Sequence, residues 1–381
     1  MKMFRNALVY VHNKGIIRTN LVFDKTILSV ENEEPLAEEI KLKPSYIVVP
    51  GFIDSHIHGA GGADAMDATP LSLTTLSQTL LSEGTTSFLA TTMTAEKEKL
   101  TKALKNVNEF MKKESEGARL LGVHLEGPFI NEKYAGAQPH HLITKPNIEL
   151  FDELNSCSGN NIKIVTLAPE VEGAEKLIAH LTKNNVVCSI GHSNAKYEDV
   201  TRAVKLGASS VTHTFNAQSP LHHREIGVVG SALLMNKLKT EIIADGLHIS
   251  PAALQLLIKC KNKDDVILIT DAMRAKGLSD GESELGGQKV IVCNGSARLV
   301  DGTLAGSVLK MNDAIKLLHF TLGVPLENAI DFASINAATR LSLDKEMGSI
   351  EKGKLADLTV LDKDLNVVMV FVNGKLKYSR E

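Results

Sequence analysis

The sequence has few cysteines, no strong excess of charge and no long apolar run. Its four cysteines are scattered and none forms a CxxC pair, which argues against a disulfide framework and against a thiolate zinc site. The formal net charge of -3 gives no signal for a polyanionic partner. No apolar stretch reaches the ~18 to 20 residues that span a bilayer, and the first residues lack the apolar region of a signal peptide. We therefore expect a cytoplasmic protein that binds neither nucleic acid nor membrane.

The 381 residues alternate between β-rich runs and amphipathic segments. Eight runs are rich in Val, Ile, Leu or Thr and are continuous enough for strands buried on both faces. These runs cover 46–54, 86–92, 120–127, 162–170, 185–193, 209–215, 239–247 and 265–273. Helical patterns between them indicate crossovers between parallel strands. The sequence predicts an α/β fold with a TIM (β/α)₈ barrel. The alternative, an open doubly wound sheet, lacks its usual GxGxxG after the first strand.

Both ends of the chain show strand patterns without helices between them. We expect residues 1–47 and 346–381 to pair into one small β-sandwich-like module, and residues 48–345 to form the barrel. Residues 284–302 predict an inserted β-hairpin region after the eighth strand.

The run VVPGFIDSHIHG ends the first predicted strand with two histidines. Because side chains alternate along a strand, His56 and His58 point to the same side at its end. Two converging imidazoles form half of a metal site, but a His-rich surface turn would produce the same motif.

Four other predicted strands also end in ionisable residues, namely Glu126, His192, His213 and Asp271. The carboxyl ends of barrel strands form the face on which active sites are built. One such residue alone is usually a hydrogen-bonded core side chain. Five strands that end this way imply groups that neutralise one another or bind a cation.

The ligand types favour a divalent transition metal over calcium. We assign Glu126, His192 and His213 to a primary metal site, and His56 and His58 to a second site beside it. Zinc and iron are expected first, and manganese and cobalt accept the same ligands. One or two ions per subunit are compatible with this set.

Asp271 is assigned as the general base. A metal lowers the pKa of a bound water, and a nearby carboxylate can take the proton and return it to the leaving group. The alternative for Asp271 is a helix N-cap.

Six short motifs and the tail resemble the N-acetylglucosamine-6-phosphate deacetylase family of the amidohydrolase superfamily. The motifs are HLEGPF (124–129), IGHS (191–194), HTFNA (213–217), ADGLH (244–248), ITDAM (269–273) and LAGS (304–307), and the tail is GSIEKGKLADLTVLD (348–362). Many relatives in the superfamily bridge two metals with a carboxylated lysine. Glu126 in HLEGP favours the deacetylase branch over the dihydroorotase and hydantoinase branches.

The resemblance implies an enzyme that removes acetate from N-acetylglucosamine 6-phosphate and yields glucosamine 6-phosphate, in amino-sugar catabolism and cell-wall recycling. It also implies a homodimer in which the phosphate pocket takes a residue from a second subunit. The alternatives are an N-acetylgalactosamine-6-phosphate deacetylase, a deaminase or cyclic amidase of the same superfamily, and a non-catalytic sensor. A non-catalytic sensor is expected to have lost the general base or a primary metal ligand, whereas this sequence retains both.

The resemblance further implies which residues contact the amino-sugar phosphate. Asn216 and Ala217 are expected at the sugar. Arg224 and His248 are expected at the phosphate, which suits an arginine fork. Without the resemblance, Arg224 is typical of a solvated loop charge and His248 of a helix-capping contact. The other expected contacts are Ala137, Gln138, Leu304, Ala305 and Gly306.

Gln138 departs from the family pattern. Family members often carry a histidine there that polarises the acetyl carbonyl, whereas Gln138 can donate a hydrogen bond but no charge. Either Gln138 polarises the carbonyl more weakly, or His140, His141 or a second metal replaces the missing histidine.

Overall fold

The computed structural model describes residues 1–380. The strands are β1 (Lys2–Val11), β2 (Gly15–Phe23), β3 (Ile27–Val30), β4 (Glu38–Glu39), β5 (Ile47–Pro50), β6 (Phe52–Ile57), β7 (Gly59–Ala60), β8 (Ala63–Asp64), β9 (Thr85–Thr92), β10 (Arg119–Glu126), β11 (Ile162–Leu167), β12 (Val187–Ile190), β13 (Ser210–Val211), β14 (Lys239–Ile243), β15 (Val266–Ile269), β16 (Gly281–Leu285), β17 (Gln288–Cys293), β18 (Ser296–Leu299), β19 (Leu358–Leu361), β20 (Val367–Val372) and β21 (Lys375–Ser379).

The α-helices are α1 (Pro70–Leu81), α2 (Lys97–Met111), α3 (Ile148–Cys157), α4 (Ala174–Lys183), α5 (Tyr197–Leu206), α6 (Gly227–Leu234), α7 (Pro251–Cys260), α8 (Met311–Lys316), α9 (Leu326–Phe332) and α10 (Ile335–Arg340). A π-helical turn follows α8 at Leu317–Thr321. Within residues 1–380, each helix is too short or too polar to cross a membrane.

Eight parallel strands form the barrel, in the order β6, β9, β10, β11, β12, β13, β14 and β15. The last strand returns to the first, because Asp271 donates its backbone N–H to the carbonyl of His56 at 2.9 Å. All eight residues of β9 are buried, as expected for a strand with core on one face and helices on the other. The TIM-barrel prediction is confirmed.

The helices on the outside of the barrel follow ordinary local rules, as α1 illustrates. Thr69 caps the helix by accepting a hydrogen bond from the backbone N–H of Ser72 at 3.1 Å, and Pro70 occupies the first helical position. Leu73, Leu76 and other apolar residues at helical spacing are buried against the barrel core. Glu83, just after α1, reaches Lys276 in the loop that follows the last barrel strand.

Several observed strands end earlier than predicted, and two of the predicted strands differ more strongly. The run 46–54 is two strands, β5 and β6, separated at Gly51. A side chain at Gly51 does not fit, because its Cβ would lie 2.2 Å from Oγ1 of Thr86. The run 209–215 contains only the two-residue strand β13, because the chain turns at His213, where φ is 30°.

The terminal segments form a second sheet in the order β21, β20, β19, β5, β1, β2 and β3, with β4 paired to β1. The rings of Phe4, Phe23 and Phe371 pack in its core at centroid distances of 5.1 to 5.6 Å. The expectation that both ends of the chain pair with each other is therefore confirmed. The exact domain limits stay a prediction, since β5 pairs in this sheet and leads directly into the barrel.

A three-stranded antiparallel sheet, β16 to β18, follows the last barrel strand, where the sequence predicts a hairpin region. Its apolar side chains, including Val290 and Val292, cluster with Met93 and Met273 of the barrel. Gln288 donates a hydrogen bond to the carbonyl of Ala137 at 2.6 Å. This small sheet is thereby tied to the carboxyl end of the barrel.

Candidate active site

A pocket of about 300 Å³ lies at the carboxyl end of the barrel strands. It collects most of the predicted site residues: His58, Glu126, Ala137, Gln138, His192, His213, Asn216, Ala217, His248, Asp271, Leu304 and Gly306. A larger cavity of about 860 Å³ is lined by residues at the amino-terminal ends of β10 to β12 and contains none of the predicted site residues. The chemistry-bearing residues therefore meet at the end where barrel active sites are built.

Three predicted residues do not line this pocket. His56 is fully buried behind it, in contact with Glu126 and Asp271. Ala305 is buried among the side chains of the β16–β18 sheet. Arg224 lies on an exposed loop, where its guanidinium contacts Nε2 of His223 at 2.7 Å.

The first group of ligand-type side chains, called here the Glu126 group, consists of Glu126, His192 and His213. Oε1 of Glu126 lies 3.2 Å from Nε2 of His192 and 3.0 Å from Nε2 of His213. The two Nε2 atoms are 3.0 Å apart. Nδ1 of His192 lies 2.9 Å from the carbonyl of Tyr134, an acceptor, so it carries the proton and leaves Nε2 with a free lone pair.

The second group, called here the His56 group, consists of His56, His58 and Asp271. Oδ1 of Asp271 lies 3.3 Å from Nε2 of His56 and 3.2 Å from Nε2 of His58. The other oxygen of Glu126, Oε2, lies 3.2 Å from Nε2 of His58. Oε1 of Glu126 also lies 3.4 Å from Nε2 of His56, so Glu126 stands between the two groups and both of its oxygens face the His56 group.

The buried carboxylates of the site are stabilised by positive charge beside them. Burial opposes the ionisation of Glu126, but the surrounding imidazoles, His56 first, outweigh burial and hold its pKa well below the usual range. Burial also lowers the pKa of His58, but Asp271 and Glu126 outweigh it and raise this pKa to about 10. Two ionised carboxylates thus draw positive charge into a buried space, either as protons on imidazole or as a metal ion.

The backbone is left-handed at three of the predicted metal-binding and catalytic residues. His192, His213 and Asp271 have φ values of 48°, 30° and 48°. Residues other than glycine rarely adopt this conformation, which costs free energy and is concentrated at functional sites. Each of these residues sits just after a barrel strand, where the sharp turn directs its side chain into the pocket.

The donor set fits a divalent metal ion. Within each group the ligand atoms lie close enough to share one ion, and atoms bound at about 2.1 Å in tetrahedral arrangement are roughly 3.4 Å apart. Nε2 of His56 is buried and makes no hydrogen bond among the described residues. A buried nitrogen beside two carboxylates, without a hydrogen bond of its own, is suited to a metal bond.

Gln138 supports Glu126 directly. Its Nε2 donates to Oε2 of Glu126 at 3.1 Å, and its Oε1 accepts from the backbone N–H of Thr94 at 2.7 Å. Both ends of the amide are therefore engaged by the protein. His140 and His141, considered as replacements for the missing histidine, lie outside the pocket lining.

Sequence reasoning missed Lys133, Tyr134 and Glu241. Lys133 and Tyr134 line the pocket from a loop that carries no recognisable motif. Glu241 is fully buried on β14, and its Oε2 lies 3.0 Å from Nδ1 of His56. The one available signal is the acidic residue itself. It lies in the predicted strand KTEII, and a buried strand accommodates a charged side chain only when a partner neutralises it.

Comparison with known proteins agrees with this geometry. Residues 47–377 match the sequence model of the amidohydrolase family, which is metal-dependent. The chain belongs to the amidohydrolase family. It is 44% identical over 356 residues to an N-acetylglucosamine-6-phosphate deacetylase of Bacillus subtilis (strain 168), covering 93% of this chain and 90% of that protein. It is 37% identical over 343 residues to an N-acetylgalactosamine-6-phosphate deacetylase of Escherichia coli O157:H7, covering 90% and 91% of the two chains.

Solved structures of relatives have the same fold over the whole chain. The N-acetylglucosamine-6-phosphate deacetylase of Pasteurella multocida superposes with a TM-score of 0.94 at 30% identity and covers 100% of both chains. The enzyme of Thermotoga maritima superposes with a TM-score of 0.90 at 36% identity and covers 99% of both chains. This family member therefore shares its complete architecture with deacetylases of amino-sugar phosphates.

Proposed function

We propose that this chain hydrolyses the acetamide of N-acetylglucosamine 6-phosphate to glucosamine 6-phosphate and acetate. The observation that carries the proposal is the position of Glu126 between two histidine groups, with Asp271 in the wall of the same pocket. The identity of 44% to a relative named for this reaction supports the choice of substrate.

Glu126, His192 and His213 would hold the primary metal ion, and His56 and His58 a second one beside it. A divalent ion supplies Lewis acidity and makes a water molecule acidic enough to react near neutral pH. Zinc or iron is proposed first, with manganese and cobalt as further possibilities, and one or two ions per subunit.

Asp271 is proposed as the general base and acid. Burial opposes its ionisation, but His56 and His58 outweigh burial and lower its pKa, so the carboxylate can accept a proton at neutral pH. It takes the proton of the water that adds to the acetyl carbon. It then delivers this proton to the amide nitrogen as the C–N bond breaks, so that the amine leaves neutral and the acetyl group leaves as acetic acid, which releases its remaining proton to solvent and becomes acetate.

Asn216, Ala217 and His248 are proposed to hold the sugar phosphate, supported by their place in the pocket lining. Nδ1 of His248 lies 2.6 Å from Oδ2 of Asp245, which leaves Nε2 as its other polar atom. Gln138 uses one N–H of its amide on Glu126, and its second N–H is available to polarise the acetyl carbonyl.

We also propose a homodimer, supported by the position of Arg224. Its exposed side chain lies outside the pocket of its own chain, beside Leu221, which is 55% exposed. A second copy would cover this loop and could bring Arg224 to the phosphate of the neighbouring pocket, as the family resemblance leads us to expect.

N-acetylgalactosamine 6-phosphate is the second candidate substrate, favoured by the 37% identity to a relative named for it. Acetate release from both sugar phosphates should be measured with protein loaded with Zn²⁺ or Fe²⁺ and with protein stripped by a chelator. We expect turnover that depends on metal and is faster with the glucosamine epimer. Ammonia release from cyclic or aminated substrates, without acetate release from either sugar, would refute the proposal.

The substitution Asp271→Asn tests the assigned base. It should lower kcat by about 10²- to 10⁴-fold, because proton transfer is lost, while the ion of the Glu126 group stays bound. Asp264→Asn, which changes an exposed carboxylate remote from the pocket, is the matched control and should leave kcat unchanged. An Asp271→Asn variant with normal kcat would show that the base is another residue.

A further inference from the structure

Glu241 is a fully buried carboxylate on β14 that contacts both groups of candidate metal ligands. Its Oε2 lies 3.0 Å from Nδ1 of His56 and accepts the backbone N–H of His213 at 3.2 Å. Its Oε1 accepts from Nη1 of Arg340 at 2.5 Å. The Glu241 side chain therefore touches a residue from each group and is itself anchored by a buried guanidinium.

We infer that Glu241 is a positioning residue that fixes the tautomer of His56 and the backbone of His213, and so aligns both candidate metal sites at once. This inference rests on the proposed metal-dependent function and adds to it the residue on which loading of the second ion depends.

The tautomer follows from hydrogen-bond chemistry. A carboxylate only accepts, so the nitrogen of His56 that faces Glu241 must carry the proton. Nε2 of the neutral ring then has a free lone pair, and this atom makes no hydrogen bond among the described residues. It faces Oδ1 of Asp271 and Oε1 of Glu126, at 3.3 and 3.4 Å. A carboxylate behind a metal-binding histidine fixes the ring orientation in the same way.

Arg340 keeps this carboxylate ionised and in place. It is the last residue of α10, its side chain is 1% exposed, and it also donates to the hydroxyls of Ser210 and Ser55. An ion pair with this many hydrogen bonds satisfies the charge of Glu241 inside the barrel. Glu241 cannot then turn toward the pocket without leaving Arg340 unpaired.

His124, another ionisable group beside His56, does not replace Glu241. The two rings are 4.5 Å apart. Both nitrogens of His124 have neutral partners, the hydroxyl of Thr166 at 2.7 Å and the carbonyl of Ser55 at 3.3 Å. Among residues 1–380, Glu241 alone offers an anionic acceptor to Nδ1 of His56.

The test is a titration of the metal-free protein with Co²⁺, followed by visible absorption and by calorimetry. The wild type should take up two equivalents. Glu241→Gln should weaken the second equivalent by about 10- to 100-fold, because its amide can donate to Nδ1 and move the proton of His56 to Nε2.

Two further variants separate positioning from stability. Glu241→Asp keeps the anionic acceptor and should recover part of the lost affinity. Asp331→Asn removes a buried carboxylate that binds Tyr10 and His12 far from the pocket, and it should bind both ions normally whatever its melting temperature.

The inference is overturned if Glu241→Gln binds two ions with wild-type affinity, if Glu241→Asp recovers none of the lost affinity, or if the wild type takes up a single equivalent. A wild type that binds two ions and never releases acetate would refute the proposed reaction while leaving the role of Glu241 in place. The two failures are therefore distinguishable.

Discussion

Removal of one buried lysine should destabilise the barrel by several kcal/mol. Lys276 is 1% exposed, and its Nζ lies 2.6 Å from Oε1 of Glu83, which is equally buried. Oε2 of Glu83 accepts the backbone N–H of Met311 at 3.3 Å, so this pair joins the end of α1, the loop after β15 and the start of α8. Lys276→Met keeps the length of the side chain and leaves Glu83 without its counter-charge.

The loss of one partner of a buried ion pair costs about 3–5 kcal/mol. A chain of 381 residues has an unfolding entropy of roughly 0.8 kcal/mol/K near its melting temperature, so Tm should fall by about 4–6 °C. The assay is differential scanning calorimetry at pH 8. The double variant Lys276→Met with Glu83→Gln should recover part of this loss, because the uncompensated charge is gone.

The matched control for Lys276 is Lys112→Met, which breaks a pair of similar length, 2.7 Å to Glu109, on the exposed surface of α2. Its Tm should not change measurably. Equal shifts for the two variants would refute the view that burial decides the cost.

Two further predictions concern pH and the phosphate. Burial raises the pKa of Glu83 from 4.5 to about 7, even though Lys276 acts in the opposite direction. Glu83 therefore contributes stability that is complete below pH 4.5 and is lost as pH rises through about 7, by about 3 kcal/mol at most. Glu83→Gln should flatten the free energy of unfolding across this range in urea titrations, and an unchanged slope would contradict the assignment. Arg224→Ala should raise KM by about 10- to 100-fold with little change in kcat, if Arg224 binds phosphate. Mixing Arg224→Ala with Asp271→Asn should restore activity at low substrate concentration, and no recovery would exclude a contact across the dimer.

The barrel could be predicted from sequence because its signal is local. Each strand is a short apolar run and each helix follows an amphipathic period, so adjacent residues alone specify the alternation. The strand ends were less predictable, since the turn at His213 depends on a left-handed backbone that no local pattern marks. The break between β5 and β6 is hidden for another reason: Thr86, which excludes a side chain at Gly51, is remote from it in the sequence.

The residues of the site also divide into some that the sequence predicts and others that it does not. The ends of strands can be located in the sequence, and the predicted metal ligands lie there: His56, His58 and the residues of the Glu126 group. Glu241 was missed because its partners are remote in sequence, 185 residues away for His56 and 99 residues away for Arg340. A buried acid is recognised as functional only when the groups that satisfy it are known.

The pairing of β5 has a consequence for synthesis of the chain. β5 lies between β1 and β19, and β19 begins about 300 residues further along the sequence. At about 5–20 residues per second, a ribosome needs roughly 15–60 s to deliver that neighbour. During this interval the nascent sheet has an open edge that another chain could pair with. The order of the strands therefore makes this enzyme dependent on protection of its first strands until translation is almost finished.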